Sequence, residues 1–209
     1  MSSNSHITPN STIGIIGAGN IGQAFATRLA AAKIDTIISN SRGPETLIDA
    51  AKALGPTVRA GTVQEAARAD IVFVSVYWPQ LETALSGLPD WNGRLVIDAN
   101  NPVIQPGFRL AELNGRTSSE VVADMLPGAR LVKAFNTLPT AVLASDPRTA
   151  GGNRVVFLSG DDAQAKAEVA ALAERLGFAP VDLGSLSAGG RLQQFPGGPL
   201  PGLNLLKLE

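Results

Sequence analysis

Short β-branched apolar runs alternate along the chain with alanine-rich segments of helical period. The runs at 13–17, 36–40, 57–60, 71–76, 95–98, 131–135, 155–159 and 179–182 are bounded by Gly, Pro, Asn or Asp, as strands are. Between them, segments 20–32, 44–54, 63–68, 80–86, 119–125 and 161–176 place apolar residues three and four apart, the spacing of a helix face. The last opens on Asp161 and Asp162, which suit an N-cap, and stops at Gly177, which suits a C-terminus. Strands of nearly continuous apolar character joined through helices predict a mostly parallel sheet of about eight strands, covered on both faces. The expected fold is a Rossmann-type, doubly wound α/β domain over residues 13–186, preceded by a polar tail at 1–12. Residues 187–209 are rich in Gly and Pro and then carry Leu203, Leu205, Leu206 and Leu208. That ending is too apolar for a solvated tail, so it should pack on the body or on a second copy in a homodimer.

Composition removes several kinds of chemistry. The chain has 209 residues, and at that length roughly 70% of the unfolded surface can be buried without a disulfide or a metal. With no cysteine there is no thiolate nucleophile, cysteine-ligated zinc or iron–sulfur cluster. The one histidine, His6, lies in the polar opening stretch, so a Ser/His/Asp triad or a multi-histidine metal site is not expected. Seventeen Lys and Arg against eighteen Asp and Glu, without a basic block, give no footprint for nucleic acid or an anionic membrane. The longest apolar run, 71–78, is interrupted by Ser75 and is far short of the about 20 residues a bilayer requires. No secretion signal is visible, and the reading is of a soluble, cytoplasmic protein.

One motif carries chemistry. Gly17, Gly19 and Gly22, with Ala18, Asn20 and Ile21 between them, form G-x-G-x-x-G at the end of an apolar strand and the start of a helical segment. The first glycine permits the tight turn, the second lets the backbone approach a pyrophosphate, and the third lets the helix pack close on its strand. A dinucleotide site is therefore expected. The next strand ends in Ser39, Asn40, Ser41 and Arg42, with no acid before Glu45 to accept from a ribose 2′-hydroxyl. Arg42 offers a fork of donors suited to a 2′-phosphate and Ser41 adds a hydroxyl, so NADP(H) is expected rather than NAD(H).

Other site candidates lie at the carboxyl ends of later strands: Ser75, Val76 and Tyr77; Asn100; and Ala134, Phe135 and Asn136. These are apolar groups and amides, and Lys133 beside them reads as a solvated strand position. Carbonyl reduction needs a proton donor. The sole tyrosine, Tyr77, has Leu81 rather than a lysine four residues on, and no histidine–acid pair is available. No catalytic acid or base is assigned. Hydride transfer between a nicotinamide and a flavin-type ring needs none, because positioning does most of the work.

Taken together, the glycine loop, Ser41-Arg42, the run from Val132 to Asn136, Ser159 to Asp162, and the stretch from Gly177 to Leu186 resemble the NADPH-dependent deazaflavin (coenzyme F-420) oxidoreductases. They resemble equally the cytoplasmic reductase domain of the six-transmembrane metalloreductases. The resemblance implies NADPH on the glycine loop, with Ser41 and Arg42 at the 2′-phosphate. It also implies Ser75 to Trp78, Asn100 and Ala134 to Asn136 around the nicotinamide and a second, flavin or deazaflavin, ring. Where relatives carry a lysine shortly after the Ser-Arg pair, this chain has Pro44-Glu45-Thr46. A non-catalytic NADP(H)-binding sensor and a reductase of a small organic substrate are the competing readings.

Overall fold

The computed structural model describes residues 11–208. Residues 1–10 of the expected 1–12 tail, with His6, and Glu209 lie outside the described residues. The chain opens with β1 (Ile13–Ile16), α1 (Asn20–Ala31) and β2 (Thr36–Ser39), then α2 (Ile48–Leu54), β3 (Val58–Ala60) and α3 (Val63–Ala67). It continues through β4 (Ile71–Val74), α4 (Leu81–Leu85), β5 (Leu95–Asp98) and a hairpin of β6 (Val103–Ile104) and β7 (Arg109–Leu110). Then come α5 (Ser118–Met125), β8 (Arg130–Ala134), α6 (Thr140–Ala144), β9 (Arg148–Thr149) and the long β10 (Gly152–Gly160). The described chain closes with α7 (Ala163–Arg175), β11 (Ala179–Asp182), α8 (Leu186–Gln193) and β12 (Leu206–Leu208).

The main path through the sheet is β3-β2-β1-β4-β5-β8-β10-β11. The first six of these run parallel, while β10 is antiparallel to β8 and carries β11 parallel to itself. The expected mostly parallel, Rossmann-like sheet is therefore present, with a reversal at its far end. Alternate residues of each strand feed the two faces. Ile13, Ile15, Ile71 and Phe73 join the core under α1, α2, α6 and α7, whereas Ile16, Val72 and Val74 join the core under α3, α4 and α5. Phe25 of α1 stacks on Phe73 at 4.1 Å between ring centroids, and Phe135 packs against Phe25 at 4.9 Å.

Capping places the helices as the sequence leads one to expect. Asp162 accepts from the backbone N–H of Ala165 at 2.6 Å, and Gly177 sits at φ +93° just past α7. Thr62 with Glu65 and Thr117 with Glu120 form capping boxes at α3 and α5.

The C-terminal segment packs in part on the same chain. β12 adds antiparallel to the first half of β10, and α8 lies against that strand. Leu203, Leu205 and Leu208 remain exposed.

Candidate functional site

After β1 the chain runs to β2 on one side, and it later returns to β4 on the other, which opens a crevice at the carboxyl ends of β1 and β4. The glycine loop forms its edge. Gly17 has φ +100°, and a Cβ there would lie 2.1 Å from the Ser75 carbonyl oxygen, so only glycine lets the two loops touch. A Cβ on Gly22 would lie 2.2 Å from the Gly17 carbonyl oxygen, which is the close packing of helix on turn. Gly19 is different: nothing lies within 4 Å of its Cβ position, and the residue faces open space. Packing within the chain does not call for glycine there.

Helix α1 begins at this point with its N-terminus unserved. Its first turn holds no acid, no side chain caps it, and the first helical bond runs from Gln23 N–H to Gly19 C=O at 2.9 Å. The N–H groups of Asn20, Ile21 and Gly22 thus point into the crevice at the positive end of the helix dipole, the setting that suits a phosphate.

A hollow of about 810 Å³ joins this turn to the end of β2 and the start of α4. Gly17, Ala18, Gly19, Ser41, Arg42, Ser75, Val76 and Tyr77 line it. A second hollow of about 280 Å³ adjoins it through Gly19, Ser75, Val76 and Tyr77, and adds Asn20, Ile21 and Asn100. The two therefore bring together eleven of the fifteen expected site residues; Gly22, in the first turn of α1, and Ala134, Phe135 and Asn136 are the four left out.

Arg42 is exposed on a loop shaped by Asn40, whose Oδ1 accepts from the Arg42 N–H at 2.8 Å. The Asn40 amide also donates to Thr46, which in turn donates to the Gly43 carbonyl. Sequence reasoning named Arg42 but missed Asn40. An asparagine bonding to the backbone two residues on was the available signal. Gln64 of α3 and Thr83 of α4 also line the larger hollow and were missed.

Ala134, Phe135 and Asn136 line neither hollow. The Phe135 ring is turned into the core, 1% exposed, with φ +63°, and packs edge-on against Phe178 at 5.9 Å. Asn136 instead knits loops together. Its amide donates to Asn101 Oδ1 at 2.9 Å and to the Gln193 carbonyl at 2.7 Å, while Asn101 donates back to the Asn136 carbonyl at 3.0 Å. Tyr77 is half-exposed at the rim, and its hydroxyl accepts from the Gln105 N–H of the β6–β7 hairpin at 3.1 Å. The exposed Phe108 of that hairpin meets Phe195 at 6.2 Å, and Phe195 N–H donates to Asn101 Oδ1. An apolar, aromatic rim thus stands beside the smaller hollow.

Lys133 corrects an expectation. It is 0% exposed rather than solvated, because β8 is a central strand covered on both faces. Burial pushes its ammonium below the ordinary lysine range, and the carboxylate of Asp98 pulls the other way. Its Nζ donates to the Asn100 carbonyl at 2.9 Å and Ser118 Oγ at 3.2 Å, and lies 3.5 Å from Asp98 Oδ2. Asp98 also accepts from the Ser119 hydroxyl and from both the backbone and side-chain N–H groups of Asn100.

Among the described residues, no Asp, Glu, Lys or His lines either hollow. Among the described residues, no helix is long and apolar enough to cross a membrane.

Comparison with known proteins gives a family and several relatives. Residues 12–102 match the family described as NADP oxidoreductase coenzyme F420-dependent. The chain is 48% identical to a hypothetical protein, SMa0349, from Sinorhizobium meliloti, covering 95% of this chain and 96% of that one at a TM-score of 0.89. A proposed F420-dependent NADP-reductase from Arthrobacter sp. FB24 is 28% identical, over 85% of this chain and 86% of its own, at a TM-score of 0.74. Among curated proteins, the metalloreductase STEAP3 of Rattus norvegicus is 30% identical over 186 residues, covering 88% of this chain. The chain spans 36% of the length of that relative.

Proposed function

The chain belongs to the same family as the Sinorhizobium meliloti protein, and we propose that it is an NADP-dependent oxidoreductase, as its match over residues 12–102 supports, that transfers hydride between NADP(H) and a flavin or deazaflavin ring. The observation that carries this reading is the single hollow joining the open Gly19 turn and the uncapped α1 N-terminus to Ser41 and Arg42. The residues fit the cofactor. Gly19 leaves room for a pyrophosphate against the N–H groups of Asn20, Ile21 and Gly22, and Arg42 is placed to receive a 2′-phosphate. When bound there, NADPH would supply the hydride.

What the chain does is hold and exclude. Val76 and Asn100 form the wall of the smaller hollow, and Tyr77, Phe108 and Phe195 offer flat apolar surface at its rim for the second ring. Among the described residues the lining holds no Asp, Glu, Lys or His, and the one phenol there, Tyr77, stands at the rim, which supports an acceptor that needs no dedicated proton donor from the protein. Homodimerisation over the exposed Leu203, Leu205 and Leu208 belongs to the same proposal, and sedimentation at micromolar concentration tests it through a mass of two chains or one.

The functional test is single-turnover oxidation of NADPH by riboflavin, FMN, FAD and a deazaflavin in turn. Saturable oxidation by at least one ring is expected. Failure of every ring at saturating NADPH ends the proposal, and turnover with carbonyls or imines alone replaces it with the small-substrate reading.

A further inference from the structure

The buried pair Asp98 and Lys133 touches no surface of either hollow, yet its hydrogen bonds converge on a residue that does. The two stand directly opposite each other on β5 and β8, both with 0% exposure. An ammonium has three N–H donors, and the three acceptors around Lys133 are Asn100 C=O, Ser118 Oγ and Asp98 Oδ2. No donor is left over, and neither side chain reaches the surface. A lysine so placed is a strut.

Asp98 completes the device. Its Oδ1 accepts from Asn100 N–H at 2.9 Å and from Asn100 Nδ2 at 2.7 Å. With Nδ2 committed to the carboxylate, the other end of the Asn100 amide has one direction left, and its Oδ1 accepts from Val76 N–H at 2.7 Å. Val76 lies just beyond the last residue of β4 and lines both hollows. Its N–H no longer belongs to the sheet. An apolar pair of like volume commonly does as well as a buried ion pair for stability. The bonds that end on Asn100 are something an apolar pair does not supply.

We propose that Lys133 and Asp98 are positioning residues: they lock the Asn100 amide so that it anchors Val76 N–H, and so set the 75–77 wall against the glycine loop. The anchoring stands on this chain's own contacts, and only its consequence for hydride transfer rests on the NADPH reading.

The test compares wild type with Asn100→Ala, Lys133→Met and the double replacement Asp98→Leu/Lys133→Met in the full chain. The double replacement, unlike Lys133→Met alone, leaves no lone buried charge, and Asn100→Ala keeps both charges in place. In the unliganded protein, amide exchange at Val76 is expected to quicken by about tenfold or more in Asn100→Ala and in the double replacement, with Phe73 in β4 unchanged. With NADPH and whichever ring the single-turnover test shows to be an acceptor, NADPH affinity is expected to stay within about threefold while single-turnover hydride transfer falls by about tenfold or more. Adding the double replacement to Asn100→Ala should then change the rate by less than about twofold, because both act through the same amide. A pair that serves stability alone would leave Val76 protected as in wild type and would multiply with Asn100→Ala, and either result overturns the proposal. If wild type binds no NADPH while Val76 behaves as expected, the cofactor reading falls and the anchoring stands.

Discussion

Replacing Gly19 by alanine separates what the glycine loop does for the fold from what it does for a ligand. Gly19 has φ −79° and ψ −162°, backbone that alanine adopts without strain, and nothing lies within 4 Å of the new methyl group. Loss of unfolded-state freedom favours alanine by about 0.4–1 kcal/mol, while glycine is the better N-cap by a similar amount. The two nearly cancel, so Tm should move by less than about 3 °C for a chain of this size. The methyl does fill the space between the turn and the crevice. Pushing a phosphate off even one first-turn N–H forfeits a charge-assisted hydrogen bond of about 1.5–3 kcal/mol, which is about ten- to a hundredfold in affinity. Gly22→Ala should show the opposite profile. Its Cβ would sit 2.2 Å from the Gly17 carbonyl oxygen, and relieving that contact costs about 1–3 kcal/mol and several degrees of Tm. Thermal melting and calorimetric titration with NADPH on the two variants make the comparison. A stable Gly19→Ala protein that binds NADPH as wild type does would refute the phosphate role of this turn.

Arg42→Ala should weaken NADPH by about ten- to a hundredfold and leave NADH nearly unchanged, as measured by titration with each. Glu120 is held below the ordinary glutamate range chiefly by the Thr117 N–H it accepts, so its contribution to stability is complete above pH 4.5 and is lost as pH falls through its lowered value. Glu120→Gln keeps an acceptor without the charge, and should therefore flatten the fall in Tm between about pH 5 and about pH 3. Gln193 is 0% exposed, donates to the Phe157 carbonyl at 3.1 Å and accepts from Ser159 at 2.8 Å. Gln193→Ala leaves both without a partner and should cost about 2–4 kcal/mol by denaturant melting.

All eight expected strands are present, because each is a short apolar run between turn residues and a parallel strand is apolar on both faces. The tight glycine turn was legible for a related reason: the close approach of Gly17 to the Ser75 carbonyl and of Gly22 to the Gly17 carbonyl constrains local sequence directly. Helix α8 was not. Its Gly189 and Gly190 read as loop, yet a Cβ on Gly189 would lie 2.6 Å from Ser159 Cβ and one on Gly190 would lie 3.2 Å from Thr117 Cβ. They are glycines because the helix presses against β10 and α5, a tertiary demand that overrides helix propensity. Lys133 was misread because its partner lies 35 residues away on the neighbouring strand, and no local pattern announces a buried ion pair. Phe135 was drawn toward the crevice by its place at a strand end, but its positive φ turns the ring inward.

The most direct measurement is calorimetric titration of the wild-type chain with NADPH and with NADH, followed by titration of the NADPH-saturated protein with a flavin and a deazaflavin. The account predicts NADPH bound more tightly than NADH and then saturable binding of one ring. Equal affinity for the two nucleotides, or no ring bound beside NADPH, would contradict it.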